Sequence, residues 1–355
     1  MPTVSRKSEL DLLNVLLCML VIFIHVSSAP IISLNKTSAV YLVLYILWRA
    51  AQIAVPGFIF VSGMKTALQY SAQDEPYFPY LLGKIKRIYL PYVICTVAYY
   101  VYFVSQNYFA FSAKDLVSYI LAGNLAAHFY FVIIIMQFYI LMPLFKRAVL
   151  GISRPVFLVL SLLIMLLFGQ FLPDMLGCLT AGKVQFIWND RVFTTNLFYY
   201  ALGLAGGAYY DSFCKVLTKN KRILTAAFCL FAFLYIALGF FSARCGTYLV
   251  YDGILQICYC TSFLPLLFLR AKEVDEKHGG NCASPLFRLL NRSTYPIYLW
   301  HVLVMQIADL WISRFGIVRQ GPAFLIRTIL TYGITLALCC AYSALKRRFI
   351  QKKKV

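Results

Sequence analysis

The chain carries little charge and very few acidic residues. Only 13 of its 355 residues are Asp or Glu, against 33 Lys or Arg, and charged residues make up 13% of the sequence. Water-soluble domains carry charge at about a quarter of their positions. With 61% hydrophobic residues and a mean hydropathy of +0.76, the composition excludes a soluble domain and predicts an integral membrane protein.

Several common functional motifs are also missing. The 11 cysteines include no CxxC pair and no spacing typical of metal ligands, and the sequence has neither a glycine-rich phosphate loop nor an internal repeat. We therefore predict no metal site and no permanently bound cofactor. Most cysteines fall in apolar segments, where Cys packs as a small apolar residue.

The chain is rich in apolar segments of about 20 residues, the length needed to span a membrane as a helix. They predict an all-α polytopic membrane bundle of about ten transmembrane helices, in a single domain of residues 1–355. A short helix over 111–122 is predicted on the outer surface before the fourth span. The predicted spans are 10–30, 40–68, 88–105, 128–145, 155–172, 193–210, 223–242, 248–269, 294–312 and 323–345.

Positive charge is distributed unevenly between the predicted loops. With the N-terminus taken as cytoplasmic, the inner segments hold 23 Lys and Arg, the outer segments seven and the spans three. This asymmetry follows the positive-inside rule, so both termini are predicted to be cytoplasmic. The net charge of +20 then suits an anionic lipid surface, and we predict the bilayer, not nucleic acid, as partner.

The first span carries a polar stripe through an apolar helix. Asn14 and His25 are eleven residues apart, which on an α-helix is within about 20° of the same face and roughly 16 Å along the axis; Asp11 and Cys18 lie near that face. Ionisable groups at membrane depth are costly and usually functional. His25, predicted in the outer half of the membrane, suits proton abstraction from a hydroxyl, although a neighbouring span could also satisfy it.

The second span contains Arg49, too deep to reach solvent easily. It is predicted either to pair with a polar group or to bind an anionic intermediate or substrate. Further along, Pro56, Gly57, Ser62 and Gly63 are predicted to break or thin the helix where it lines a cavity. Packing of small residues against another helix is the alternative.

A basic cluster precedes the third span. Lys84, Lys86 and Arg87 are followed by Pro91, and Lys65 of the second span is predicted to reach the same inner surface. Such a cluster is typical of a topology signal, but it also suits the phosphates of a cytosolic co-substrate.

Two further spans combine histidine with tyrosine. His128, Tyr130 and Tyr139 mark the fourth span, as interfacial anchors or as acceptor-site residues. In the ninth span, Tyr298 and His301 are three residues apart and predicted on one helix face.

Five short motifs occur in order along the chain: DLLNVLLCMLVIFIH, VPGFIFVSGM, KIKRIYLPY, HFYFVIIIMQFYILMPLF and YPIYLWH. Together they resemble the acyltransferase 3 family, ten-helix integral membrane acyltransferases that include bacterial O-acetyltransferases of surface polysaccharides. The resemblance covers nearly the whole length. The chain departs from the family at Asn14, where an arginine is usual. Asn14 supplies hydrogen bonds but no cation, so either Arg49 or the basic cluster compensates, or the activity is altered.

The resemblance implies a multi-pass O-acyltransferase of the bacterial cytoplasmic membrane. It would move an acyl group, acetyl or succinyl, from cytoplasmic acyl-CoA to a hydroxyl of a cell-envelope glycan or related acceptor at the outer face. Taken together with the polar positions described above, it gives three sets of candidate site residues: catalytic His25, Asn14, Asp11 and Arg49; acyl-CoA-binding Lys84, Lys86, Arg87 and Lys65; and acceptor-binding His128, Tyr130, Tyr139, Tyr298 and His301.

A transporter or flippase of a glycan or lipid-linked sugar is the alternative, since an intramembrane histidine and arginine also suit a polar pathway. Transporters often show inverted repeats and paired broken helices. The sequence indicates only one broken segment, near Pro56, and so favours the enzyme.

Overall fold

The structure, a computed structural model, describes residues 7–70, 76–180, 188–278 and 284–352. Within these ranges the chain is helical and contains no β-strand. The helices are α1 Ser8–Ser33, α2 Ala39–Ala51, α3 Ala54–Tyr70, α4 Tyr77–Lys84, α5 Leu90–Ser105, α6 Ala113–Ala122, α7 Tyr130–Ile140, α8 Met142–Gly151, α9 Arg154–Leu179, α10 Leu197–Ala208, α11 Tyr210–Lys219, α12 Lys221–Cys245, α13 Asp252–Lys277, α14 Pro285–Arg314 and α15 Gln320–Lys352.

Six helical segments in the described part of the chain are long and apolar enough to cross a membrane. A seventh is added if α7 and α8, bent by 60° at Leu141, count as one span. Each of the ten predicted ranges is largely helical, and α6 matches the short helix expected over 111–122. The all-helical membrane fold is thus confirmed, while the count of ten and the cytoplasmic termini stay predictions.

The chain divides into two compact units. Unit 1 is formed by Ile59–Phe213, and unit 2 by the described residues up to Phe58 and from Cys214 onward. The boundary falls inside α3. The single domain over residues 1–355 stays a prediction.

Unit 2 is built around α1, which packs against α2, α13, α14 and α15. Apart from its polar stripe, α1 is apolar, and its side chains Leu10, Leu17, Ile22 and Val26 are buried. His25 is therefore carried by the central helix of this unit.

Unit 1 depends on close contact between α3 and α10. A Cβ on Gly203 would lie 2.0 Å from the carbonyl oxygen of Phe60, and one on Gly63 would lie 2.3 Å from that of Tyr200. Small residues let membrane helices approach backbone to backbone. The packing alternative for Gly63 is therefore the one realised.

The helix break expected between Pro56 and Gly63 lies elsewhere, so that prediction was wrong. α2 ends at Ala51, and α3 starts at Ala54 and continues through Gly57 and Gly63. Pro56 falls in the first turn of α3, where its missing N–H breaks no helical hydrogen bond. The break between α2 and α3 therefore comes before Pro56, since the first turn of a helix accepts proline.

Candidate active site

His25 and His301 are neighbours in unit 2. Their ring centroids are 5.1 Å apart and the rings are tilted by 51°. His301 of α14 is fully buried, and His25 of α1 is half-buried. An imidazole can accept or release a proton near neutral pH, so this pair is the candidate catalytic centre of unit 2.

The orientation of His301 is set by its own helix. Its Nδ1 lies 2.7 Å from the carbonyl oxygen of Tyr298 and 3.2 Å from that of Ile297. A carbonyl oxygen only accepts hydrogen bonds, so Nδ1 carries the hydrogen. In the neutral ring, Nε2 then holds the lone pair. The rings of Tyr298 and His301 are 6.2 Å apart, which confirms that they share a helix face.

The two histidines are held in register by a second contact between α1 and α14. Cys18 Sγ donates a hydrogen bond to the carbonyl oxygen of Thr294, at 3.4 Å. Both helices advance seven residues from this contact to the histidine pair, about 10 Å along each axis. The helices therefore run parallel here, and Cys18 and His25 share a face of α1, as the sequence predicts.

The inner part of the stripe lies far from His25. Asp11 is buried in the first turn of α1, where a carboxylate complements the helix dipole, and Asn14 is half-buried. Eleven residues of helix separate Asn14 from His25, roughly 16 Å. Asn14 and Asp11 therefore lie away from the His25 ring, and their catalytic roles stay predictions.

Arg49 is buried and paired. Its guanidinium forms two hydrogen bonds with the Asp252 carboxylate and donates one to the carbonyl oxygen of Tyr235. It also lies 3.7 Å from the centroid of the Tyr235 ring. The pairing alternative given for Arg49 is thus the one seen, and its catalytic role stays a prediction.

Two acidic partners in this unit were missed by sequence analysis. One is Asp252, and the other is Asp309, which lies 2.5 Å from Arg327. The available signal was the presence of Arg49 and Arg327 inside predicted spans, because intramembrane cations are usually paired with an acid.

The basic cluster lies in unit 1, on a helical turn of unusual geometry. Lys84 ends α4, and Lys86 and Arg87 lie in a π-helical turn, Ile85–Tyr89, that leads into α5. Pro91 supplies no N–H, which removes one regular helical hydrogen bond at this point, and π turns are frequent at functional sites. Lys86 and Arg87 are exposed and can meet an anionic ligand.

Lys84 is oriented by two tyrosines. Its Nζ lies 4.4 Å from the centroid of Tyr139 and 5.1 Å from that of Tyr80. The Tyr139 hydroxyl is hydrogen-bonded to Ser62 Oγ at 2.9 Å. Tyr139 therefore contacts a residue of the basic cluster, while acceptor binding by Tyr139 stays a prediction. Lys65 is half-buried in α3.

His128 is buried in unit 1. Its ring lies 4.4 Å from that of Phe129 and 6.1 Å from that of Tyr99. A lipid-facing interfacial anchor would be exposed, so the structure argues against that alternative for His128. Tyr130 is half-buried at the start of α7. Acceptor binding by either residue stays a prediction.

A cavity of about 670 Å³ lies in unit 2 between α1, α2, α14 and α15. Its lining is mainly apolar and includes Phe23, Leu44, Phe324 and the Asp309–Arg327 pair, but neither His25 nor His301. This cavity is therefore separate from the histidine pair.

Comparison with known families gives one assignment. The profile of the acyltransferase 3 family, described as an acyltransferase domain, matches residues 7–344. Neither the curated proteins nor the solved structures include a significant match. The family supports a multi-pass membrane acyltransferase and gives no support to the transporter alternative. The chain belongs to the acyltransferase 3 family.

Proposed function

We propose that this membrane acyltransferase transfers an acyl group, acetyl or succinyl, from cytoplasmic acyl-CoA to a hydroxyl of a cell-envelope glycan. Transfer takes place toward the outer face of a bacterial cytoplasmic membrane. The observation that carries the proposal is the contact of His25 with His301 inside unit 2, since an imidazole can accept the proton of an attacking hydroxyl.

The depth of His25 supports transfer across the membrane. It is seventeen residues beyond Ser8, the first residue of α1, or about 26 Å along the helix. With a cytoplasmic N-terminus, this is the outer half of a hydrocarbon core about 30 Å thick. An acceptor hydroxyl arriving from outside therefore has a short distance to travel.

The basic cluster supports a donor that carries phosphates. Lys86 and Arg87 are exposed beside Lys84, and Lys65 is predicted to reach the same inner surface. Charge-assisted hydrogen bonds from such groups favour phosphate. Acyl-CoA offers phosphates at one end and a thioester at the other, so the cluster would hold the donor at the cytoplasmic side.

The chemistry requires one base and one leaving group. The acceptor hydroxyl oxygen attacks the thioester carbonyl carbon while its proton passes to His25. The carbon–sulfur bond then breaks, and the thiolate of CoA takes up the proton from His25. A route in which His25 first carries the acyl group uses the same residue. His128, Tyr130 and Tyr298 are the proposed contacts of the acceptor.

The test compares His25→Ala with wild-type protein in inside-out membrane vesicles supplied with radiolabelled acetyl-CoA or succinyl-CoA. We expect label in the glycan fraction with wild-type protein and none with His25→Ala. His278→Ala is the matched control, because His278 is exposed at the end of α13 and should leave transfer unchanged. Wild-type transfer by His25→Ala would reject the proposal. Mass spectrometry of envelope glycans with and without the protein identifies the acceptor.

A further inference from the structure

The structure shows which nitrogen of His301 faces away from its own helix. Nδ1 is engaged by the carbonyl oxygens of Tyr298 and Ile297, so the lone pair of the neutral ring is on Nε2. His301 is also fully buried. It therefore presents a hydrogen-bond acceptor inside unit 2, oriented by its contacts to its own helix.

The distance to His25 allows that acceptor to be used. A ring nitrogen of His25 lies within 4.8 Å of a ring nitrogen of His301. One bridging water, with two hydrogen bonds of ordinary length, spans about 4.7 Å. Rotation of the His25 side chain could also close the gap, since hydrogen bonds between catalytic groups often tighten only when substrate binds.

We propose that His301 is a positioning residue that fixes the tautomer of His25. This inference rests on the proposed function. Nε2 of His301 accepts a hydrogen bond from one ring nitrogen of His25, directly or through water. The other ring nitrogen of His25 is then left with the lone pair, which takes the proton of the acceptor hydroxyl.

A neutral partner suits this environment better than a carboxylate. In a serine hydrolase triad, a buried Asp holds the catalytic His in the correct tautomer. Within a membrane unit, an ionised carboxylate would carry a large desolvation cost. An imidazole with its own hydrogen tied to a backbone carbonyl can accept the same hydrogen bond without that cost. When His25 becomes protonated, its hydrogen bond to His301 is strengthened.

The register of the helices supports a dedicated contact. Cys18 is hydrogen-bonded to the Thr294 carbonyl two turns before the histidine pair, so α1 and α14 are fixed relative to each other where the rings meet. A packing role alone would be filled better by an apolar side chain, which has no polar atoms to desolvate.

The experiment compares wild-type protein with His301→Gln and His301→Phe, using steady-state kinetics of acyl transfer in reconstituted full-length protein. We expect His301→Phe to lower kcat about 100-fold with little change in KM for acyl-CoA, because a missing tautomer partner affects the proton-transfer step. His301→Gln keeps a side-chain oxygen acceptor and should remain within about tenfold of wild type. Met305→Leu, a volume-conserving change one turn further along α14, should leave kcat unchanged.

Nitrogen-15 NMR of histidine-labelled wild-type protein gives a readout that does not depend on any variant folding. A single neutral tautomer of His25 is expected, and a mixture would overturn the inference. So would a wild-type kcat for His301→Phe, or a change confined to KM. If His25→Ala is inactive and His301→Phe is fully active, only this inference fails. If His25→Ala remains active, the proposed function itself fails.

Discussion

Arg49 and Asp252 form an ion pair between α2 and α13, two helices of unit 2. The guanidinium also lies 3.7 Å from the centroid of the Tyr235 ring. Gly239 leaves the space for it, since a Cβ there would lie 2.6 Å from an Arg49 guanidinium nitrogen. One cation of α2 is thus satisfied by groups from two other helices, which links α2, α12 and α13.

Removing the acid should destabilise the fold. Asp252→Asn leaves the Arg49 charge without its anion, and Arg49 is only 8% exposed while Asp252 is 39% exposed. Since the acid is partly solvated, we expect a loss of about 2 kcal/mol, below the cost of breaking a fully buried pair. Thermal unfolding in detergent should show a lower Tm for this variant.

The control for this substitution is Glu276→Gln, which removes an ion pair with Lys272 on the surface of α13. Glu276 is 62% exposed, and exposed pairs contribute about 0.5 kcal/mol, so its Tm should hardly move. If Asp252→Asn reduced acyl transfer far more than it reduced the amount of folded protein, the pair would belong to catalysis instead.

Gly203→Ala should disrupt unit 1. The added methyl would lie 2.0 Å from the Phe60 carbonyl oxygen, and backbone cannot move aside as a side chain can. Forcing α3 and α10 apart should cost about 1–3 kcal/mol and lower the Tm. Gly333→Ala in α15 meets nothing within 4 Å and should be neutral or slightly stabilising, because alanine favours helix. Equal effects of the two substitutions would contradict this packing.

Donor binding should depend on the basic cluster. The double variant Lys86→Ala with Arg87→Ala removes two exposed cations, and we expect KM for acyl-CoA to rise about tenfold or more with kcat nearly constant. Arg147→Ala removes an exposed cation from α8 and serves as control. An unchanged KM in the double variant would assign the cluster to topology alone.

Two substitutions of Tyr139 separate its hydroxyl, which is hydrogen-bonded to Ser62, from its ring, which contacts Lys84. Tyr139→Phe loses the hydrogen bond to Ser62 but keeps the ring beside the ammonium group, so we expect about 1 kcal/mol less stability and an unaltered KM. Tyr139→Leu also removes the cation–π contact and should raise KM for acyl-CoA. The measurements are steady-state kinetics and thermal unfolding of both variants. If Tyr139→Phe and Tyr139→Leu had similar KM values for acyl-CoA, Tyr139 would not position Lys84.

Helical periodicity was sufficient to predict several local relationships. Cys18 and His25 share a face of α1, and Tyr298 and His301 share a face of α14, because residues seven or three positions apart recur on one side of an α-helix. The composition likewise predicted the membrane class, since apolar segments of this length have no other environment.

Relationships between distant segments could not be predicted in this way. The position of the helix break before Pro56 depended on how proline is accommodated at the start of α3. The partner of Arg49 was expected only as some polar group, since nothing in the local sequence selects Asp252 among the acids of the chain. The role of Tyr139 beside Lys84 depends on the packing of α7 against α4.

From the amino-acid sequence alone, composition and motif order predict a helical membrane protein that resembles the acyltransferase 3 family, and they single out His25 in its first span as a candidate site residue. These properties follow from composition and from short sequence motifs, so they can be predicted without knowing which helices pack together. Tertiary structure decides that His25 faces His301 and that Arg49 is neutralised, because such contacts join residues hundreds of positions apart. Only the packing of α1 against α14 and of α2 against α13 brings them together.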